Sequence, residues 1–185
     1  GGSSSLKVKR EVSPLAGIIE RVGSEAVVTY ERGYVGDIGG NYNGVSTGQD
    51  LSESRNAEQL IADAVAAAQT ADYVIFIGGL NKTDHQDCEG ADRLSMDLPY
   101  NQDAVIDALV EANPNTAVLL VSGNAVSMPW VENVPAIMQV WYLGSESGHS
   151  IADVLFGEVT PGGKLPFTFP VKLEDSPAHQ PGMTF

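Results

Sequence analysis

The chain has 185 residues, of which 43% are hydrophobic and 18% are charged, a composition that excludes a disordered or fibrous chain and predicts one globular domain. Asp and Glu number 24 against 10 Lys and Arg, a formal net charge of −14, which disfavours nucleic acid and anionic membranes as partners. The single cysteine excludes an internal disulfide and a multi-cysteine zinc site.

The N-terminal part contains one predicted helix, one predicted strand and a long irregular segment. Residues 1–12 are expected to be a flexible lead-in or linker. Ser13 is a helix cap, and the apolar spacing that follows it predicts a helix that ends at Gly23. Residues 26–30 are predicted to form a short strand. Residues 31–56 are rich in Gly, Asn, Asp and Ser, which predicts a long loop that either binds a ligand or is disordered.

From residue 57 onward, apolar helical faces alternate with strands that are apolar on both sides. The predicted elements, in chain order, are a helix at 57–68, a strand at 73–77, a helix at 101–112, strands at 117–121 and 134–141, and a helix at 147–156. Continuous apolar strands that alternate with helices indicate a mostly parallel sheet with helices on both faces. The predicted fold class is therefore α/β.

Three loops leave the carboxyl ends of these strands, where open α/β sheets bind ligands. The loop at 81–93 carries four carboxylates, one histidine, one lysine and one arginine. The loop at 122–125 is short and turn-like. The loop at 141–148 begins with Trp141 and Tyr142, two aromatic side chains that could face a ligand. Candidate chemistry is therefore concentrated in the first loop.

The residues of the 81–93 loop leave three interpretations open. One is a solvated acidic loop held by a structural pair between Asp92 and Arg93. Another is a general acid/base carboxyl whose charge state is tuned by its neighbours. The third is a metal site, although no established metal-binding spacing is present, and its ligands would be Asp84, His85, Asp87 and Glu89. No phosphate-binding glycine motif is present, so no nucleotide cofactor is predicted.

Several segments together resemble glycoside hydrolase family 3. Residues 87–93, with Leu98-Pro99 and Gln102, are similar to the family's EGxDR…LxLPxxQ motif. The other matching segments are 14–18 with TPLxGI, 122–130 with SGxPVxxxW, 141–157 with WYPGxExGxAIADVLFGD, and 161–170 with NPSGKLPFTFP. The resemblance covers residues 13–178 in the family's order and leaves 179–185 as a tail. It implies the family's α/β sandwich domain, here without the family's first strand.

The resemblance also implies a function. The family's enzymes are retaining β-glycoside hydrolases, and a β-glucosidase-like member removes terminal non-reducing β-D-glucosyl residues. In many members the sandwich domain supplies a glutamate as general acid/base, and Glu89 occupies the matching position. Asp92 and Arg93 are expected to position this loop. The expected substrate-binding residues are Lys82, Asp84, His85, Asp87, Trp141 and Tyr142. No metal and no cofactor are expected.

The expected partners follow from the same resemblance. They are a β-glucoside or oligosaccharide substrate and a barrel domain that carries the nucleophilic aspartate, on a separate chain or removed. The chain alone is expected to be inactive. Homo-oligomerisation is left open, and nucleic acid and membranes are not expected. The resemblance favours a bacterial parent enzyme that is periplasmic or secreted. The alternative function is an isolated, non-catalytic carbohydrate-binding or assembly domain.

Overall fold

The computed structural model describes residues 8–36, 41–42, 45–46, 51–179 and 182. In chain order, its helices and strands are α1 (Pro14–Val22), β1 (Asn41–Tyr42), β2 (Val45–Ser46), α2 (Ala57–Thr70), β3 (Val74–Gly79), α3 (Gln102–Ala112), β4 (Thr116–Val121), β5 (Ala136–Gln139) and α4 (Ser147–Leu155). Short 3₁₀ turns lie at Gly144–Glu146, Leu173–Asp175 and Pro177–His179.

The described strands form a parallel sheet in the order β3-β4-β5, and β1 and β2 form a separate antiparallel ribbon. In the parallel sheet, Val74 pairs with Thr116, and Ala117 pairs with Ala136. The strands alternate with helices, which confirms the predicted α/β class with a parallel sheet. No helix in the described ranges is long and apolar enough to span a bilayer.

Helices cover both faces of this sheet. Successive side chains of a strand point to opposite faces, so apolar side chains on both faces need a helix to bury them. Val118 and Leu120 face α2 and α3, and Trp130 is buried in the same cluster. Leu119 points the other way and packs with Ile151 of α4. Helix α1 packs against α4 on this second side. The buried cores hold the carboxyl ends of the strands in fixed relative positions, and the candidate loops leave the sheet there.

The prediction of a strand at residues 26–30 is wrong. All five residues are described, and none belongs to a helix or strand. Val27 is 92% exposed and Tyr30 is 63% exposed, so the segment lies on the surface. A strand needs a neighbour to accept and donate its backbone hydrogen bonds, and these residues form none of the ladders described here.

The ends of the chain and the long loop fall partly outside the described residues. Of the expected lead-in, residues 1–7 are not described, whereas Val12 is buried and its N–H donates to the carbonyl of Ser145 at 2.8 Å. The packed part of the chain therefore includes a residue before the expected boundary at 13. In the expected loop, the β1–β2 ribbon is described, but 37–40, 43–44 and 47–50 are not. Of the expected tail, only 179 and 182 are described.

Candidate functional site

Three loops at the carboxyl edge of the sheet meet at one carboxylate. Asp87, in the loop after β3, accepts hydrogen bonds on Oδ2 from the backbone N–H of Gly123, at 2.5 Å, and from the hydroxyl of Tyr142, at 2.6 Å. Its Oδ1 accepts a third bond from Nδ2 of Asn124, at 2.9 Å. Gly123 and Asn124 follow β4, and Tyr142 follows β5. Asp87 therefore joins all three strand-end loops.

A buried glutamine fixes the point at which the first loop leaves the sheet. Gln102 is fully buried, its Oε1 accepts from the N–H of Gly79 at 2.7 Å, and its Nε2 donates to the carbonyl of Gly79 at 2.8 Å. The side-chain amide thus pairs with the end of β3 as a neighbouring strand would. A Cβ on Gly78 would lie 2.2 Å from Oε1 of Gln102, so this contact requires glycine.

The first half of the loop is closed by its own side chains. Oδ1 of Asn81 accepts from the N–H of Thr83 at 2.8 Å, and Oε1 of Gln86 accepts from the N–H of Asn81 at 2.9 Å. Nε2 of Gln86 donates to the hydroxyls of Thr83 and Tyr100. Sequence reasoning missed these supporting residues. Their only sequence signal is Asn81, an Asn of turn-forming type at the start of a charged loop.

Glu89 lies two residues after Asp87 and, in contrast to it, has an exposed side chain. A Cβ on Gly90, the next residue, would meet nothing within 4 Å. The thiol of Cys88 donates to the carbonyl of Ala91 at 3.2 Å and turns the chain. The side chain of Glu89 can therefore be approached from solvent, and the carboxylate of Asp87 accepts three hydrogen bonds from protein donors.

The expected pair between Asp92 and Arg93 is not among the ion pairs of the described residues, and that prediction is wrong. Asp92 has an exposed side chain, and its backbone carbonyl lies 2.9 Å from Nδ1 of His85. Arg93 turns inward and donates from Nη1 to the carbonyl of Ala125. The two adjacent residues therefore make their contacts with different parts of the protein.

Arg93 is half-buried and joins the first loop to the loop after β4 through its bond to Ala125. Burial lowers the pKa of its guanidinium, while the carboxylates of Asp87 and Asp97 act in the opposite direction. Its Nη2 is buried without a hydrogen-bond partner among the described residues. A positioning role for Arg93 stays a prediction, now directed at the loop after β4 instead of at Asp92.

The other candidate residues separate into two groups. Lys82, Asp84 and His85 have exposed side chains on the outer part of the first loop. Tyr142 contacts Asp87, and burial together with this hydrogen bond raises the pKa of its phenol. Trp141 has a positive φ of 54° and makes an edge-to-face contact with the ring of Phe167, at a centroid distance of 5.8 Å. The structure thus brings Tyr142, but not Trp141, to the Asp87 carboxylate.

The metal interpretation gains no geometric basis. Among the residues that the structure describes, no three His, Cys, Asp or Glu side chains form a group that could hold a metal ion.

A cavity of about 300 Å³ opens beside the start of the first loop. Its lining includes Arg32 and Tyr34 from the segment before β1, and Asn81 and Tyr100 from the loop and its support. Part of the segment that the sequence marks as a candidate binding loop therefore lies next to the candidate site.

Comparison with known proteins agrees with the family resemblance of the sequence motifs. A family model described as "Glycosyl hydrolase family 3 C-terminal domain" matches residues 1–184. The chain is 51% identical over 179 residues to Beta-glucosidase BoGH3A from Bacteroides ovatus, which covers 97% of this chain and 23% of that protein.

Several solved structures share this fold. The chain superimposes with a TM-score of 0.76 on a GH3 beta-glucosidase from Bifidobacterium adolescentis, at 31% identity over 96% of this chain and 23% of that one. A beta-glucosidase from Kluyveromyces marxianus in complex with glucose gives a TM-score of 0.66, at 41% identity over 69% of this chain and 15% of that one. The chain therefore spans less than a quarter of the length of each of these relatives.

Proposed function

This chain belongs to the glycosyl hydrolase family 3 C-terminal domain family, and we propose that it supplies the general acid/base of a retaining β-glucosidase, with Glu89 as that residue. The complete enzyme would hydrolyse terminal non-reducing β-D-glucosyl residues. The nucleophilic aspartate would lie on a barrel domain outside these 185 residues.

The observation that carries this proposal is the contrast between two carboxylates on one loop. Asp87 accepts three hydrogen bonds from neighbouring loops. Glu89 is exposed two residues further on, at the carboxyl edge of the sheet. A general acid/base must reach the proton that it transfers, so it has to be accessible to substrate and held on a fixed support. The exposed side chain of Glu89, and the hydrogen bonds of Asp87 to the loops after β4 and β5, support this assignment.

In a retaining mechanism, Glu89 would act twice. As an acid it would protonate the leaving oxygen while the barrel aspartate attacks the anomeric carbon, and a covalent glycosyl-enzyme would form. As a base it would then take a proton from the water that hydrolyses this intermediate. The two carboxyls would have to lie about 5–5.5 Å apart, which requires the barrel to dock against the face that presents Glu89. The isolated chain would therefore be inactive.

The proposal is tested by leaving-group dependence in the complete protein. A dinitrophenolate leaves without protonation, so Glu89→Ala should keep kcat/KM for a dinitrophenyl β-glucoside within a few-fold of wild type. A methyl or phenyl β-glucoside needs the acid, and general acid catalysis contributes about 10²–10⁴-fold, so its kcat/KM should fall by that factor.

Glu111→Ala is the matched control, because Glu111 is an exposed glutamate on α3 and alanine suits a helix. It should leave both substrates unchanged. Equal losses for both leaving groups in Glu89→Ala would overturn the assignment. Turnover by the isolated chain would also contradict the two-domain arrangement.

A further inference from the structure

We propose that Asp87 is a positioning residue that holds Glu89 in place, instead of a residue that binds sugar. The inference rests on the proposed function of Glu89 and adds to it the device that fixes its position. It replaces the expected pairing of Asp92 with Arg93.

The contacts of Asp87 are those of a structural anchor. Both carboxylate oxygens accept hydrogen bonds, at 2.5, 2.6 and 2.9 Å, from Gly123, Tyr142 and Asn124. Hydrogen bonds to an ionised carboxylate are shorter and about twice as strong as neutral ones. Three of its about four acceptor positions are already occupied by protein donors, so little capacity is left for a sugar hydroxyl. These contacts favour positioning over substrate binding.

A second attachment lies on the other side of Glu89. Arg93, four residues after Glu89, donates to the carbonyl of Ala125, and Asp87, two residues before it, accepts from Gly123. Both attachments reach the same short loop after β4. Residues 87–93 therefore form an arch that is fixed at each end.

Inside the arch, a Cβ on Gly90 would meet nothing within 4 Å, and the thiol of Cys88 donates to the carbonyl of Ala91. The position of Glu89 therefore depends on the two ends of the arch. Removing either end should displace the Glu89 carboxylate while the sheet stays folded.

Releasing the Asp87 end of the arch should lower the rate of the complete protein. A displacement of about 1 Å in a reacting group lowers the rate on the order of 10²-fold. Asp87→Ala in the complete protein should therefore lower kcat/KM for a phenyl β-glucoside by about that factor. For a dinitrophenyl β-glucoside, which needs no acid, it should lower kcat/KM by only a few-fold, with KM little changed. Asp87→Asn keeps one acceptor oxygen and should lie between wild type and Asp87→Ala.

A double-mutant cycle with Tyr142 separates positioning through this contact from a general loss of structure. Tyr142→Phe deletes one donor and should give a smaller loss with the same leaving-group dependence. Added to Asp87→Ala, it should change nothing further, because the bond is already absent. Glu132→Ala, an exposed carboxylate in the turn before β5, serves as the matched control and should behave as wild type.

Amide hydrogen exchange of residues 88–92 in the complete protein gives a readout that is independent of catalysis. Exchange should be faster in Asp87→Ala than in Glu89→Ala, because the second variant keeps both ends of the arch. If Glu89→Ala shows no leaving-group dependence, the proposed function fails, and faster exchange in Asp87→Ala still supports the anchor. Wild-type exchange in Asp87→Ala, or equal losses for both leaving groups with a raised KM, would overturn the positioning role. Should Asp87→Ala fail to fold, Asp87→Asn and Tyr142→Phe carry the same comparisons.

Discussion

The close contact between α1 and α4 predicts how much an added methyl group at this contact destabilises the fold. The helices cross with their backbones touching at Gly17 and Gly148. A Cβ built on Gly17 would lie 2.2 Å from the carbonyl carbon of Gly148, and one built on Gly148 would lie 2.2 Å from the carbonyl oxygen of Ser13. Non-bonded carbon atoms pack at about 3.5–4.0 Å, so Gly17→Ala must push the helices apart by at least about 1 Å.

Two opposing effects decide whether Gly17→Ala raises or lowers the free energy of unfolding. Alanine is favoured over glycine in a helix by about 1 kcal/mol, which stabilises the variant. Overpacking against backbone that cannot rotate away destabilises by about 1–3 kcal/mol or more. Separation also stretches the hydrogen bonds of Val12 with Ser145, at 2.8 Å, and with Gly148, at 2.9 Å, each worth about 1 kcal/mol. The net free energy of unfolding should fall by about 2–3 kcal/mol, which for a chain of this size lowers Tm by about 4–12 °C.

Thermal unfolding followed by circular dichroism measures this shift. Gly162→Ala is the matched control, because a Cβ there meets nothing within 4 Å, and it should leave Tm within about 1 °C of wild type. Gly148→Ala should be destabilised as Gly17→Ala is. An unchanged or raised Tm in Gly17→Ala would mean that helix propensity dominates, and it would refute the close approach of the helices.

Three further predictions concern single side chains. Hydrogen bonds to Glu20 and Glu146 raise the pKa of His149. Its stabilising effect should therefore be complete below the unfolded pKa of about 6.5 and lost as pH rises through the higher folded pKa. His149→Gln should make Tm depend less on pH between pH 5 and 8.5, and an unchanged pH dependence of Tm would contradict this. Gln102→Ala leaves both backbone groups of Gly79 unpaired, so urea unfolding should show a loss of about 2–4 kcal/mol, and a loss below 1 kcal/mol would contradict that pairing. Arg93→Ala releases the second end of the arch and should lower kcat/KM of the complete protein for a phenyl β-glucoside on the order of 10²-fold more than for a dinitrophenyl β-glucoside; equal values would contradict it.

Local patterns predicted the fold where they were long and regular. The helix at 57–68 is observed at Ala57–Thr70, and the strand at 117–121 is observed at Thr116–Val121, because helical and strand periodicity are properties of neighbouring residues. The strand at 26–30 failed for the opposite reason. A short apolar run carries no information on whether another strand lies beside it, and exposed Val27 shows that none does among the described strands.

The candidate site was predictable in its location but not in its internal contacts. The 81–93 loop stood out by its charge, and the rule for parallel sheets placed it beside the loops after β4 and β5. The partners of Asp87 lie 36 to 55 positions away in sequence, so no local pattern could identify them. Asp92 and Arg93 are adjacent and oppositely charged, which suggested a pair, but Arg93 donates to the carbonyl of Ala125, 32 positions further along the chain.

The most direct measurement of the central claim is the product that Glu89→Ala forms in the complete protein when azide is added to a dinitrophenyl β-glucoside. Without its base, the variant should form the glycosyl-enzyme and then stall, because water is not activated. Azide needs no base, so it should restore turnover and yield β-glucosyl azide. Absence of rescue, or rescue of Asp87→Ala in place of Glu89→Ala, would contradict the assignment of Glu89 as the acid/base.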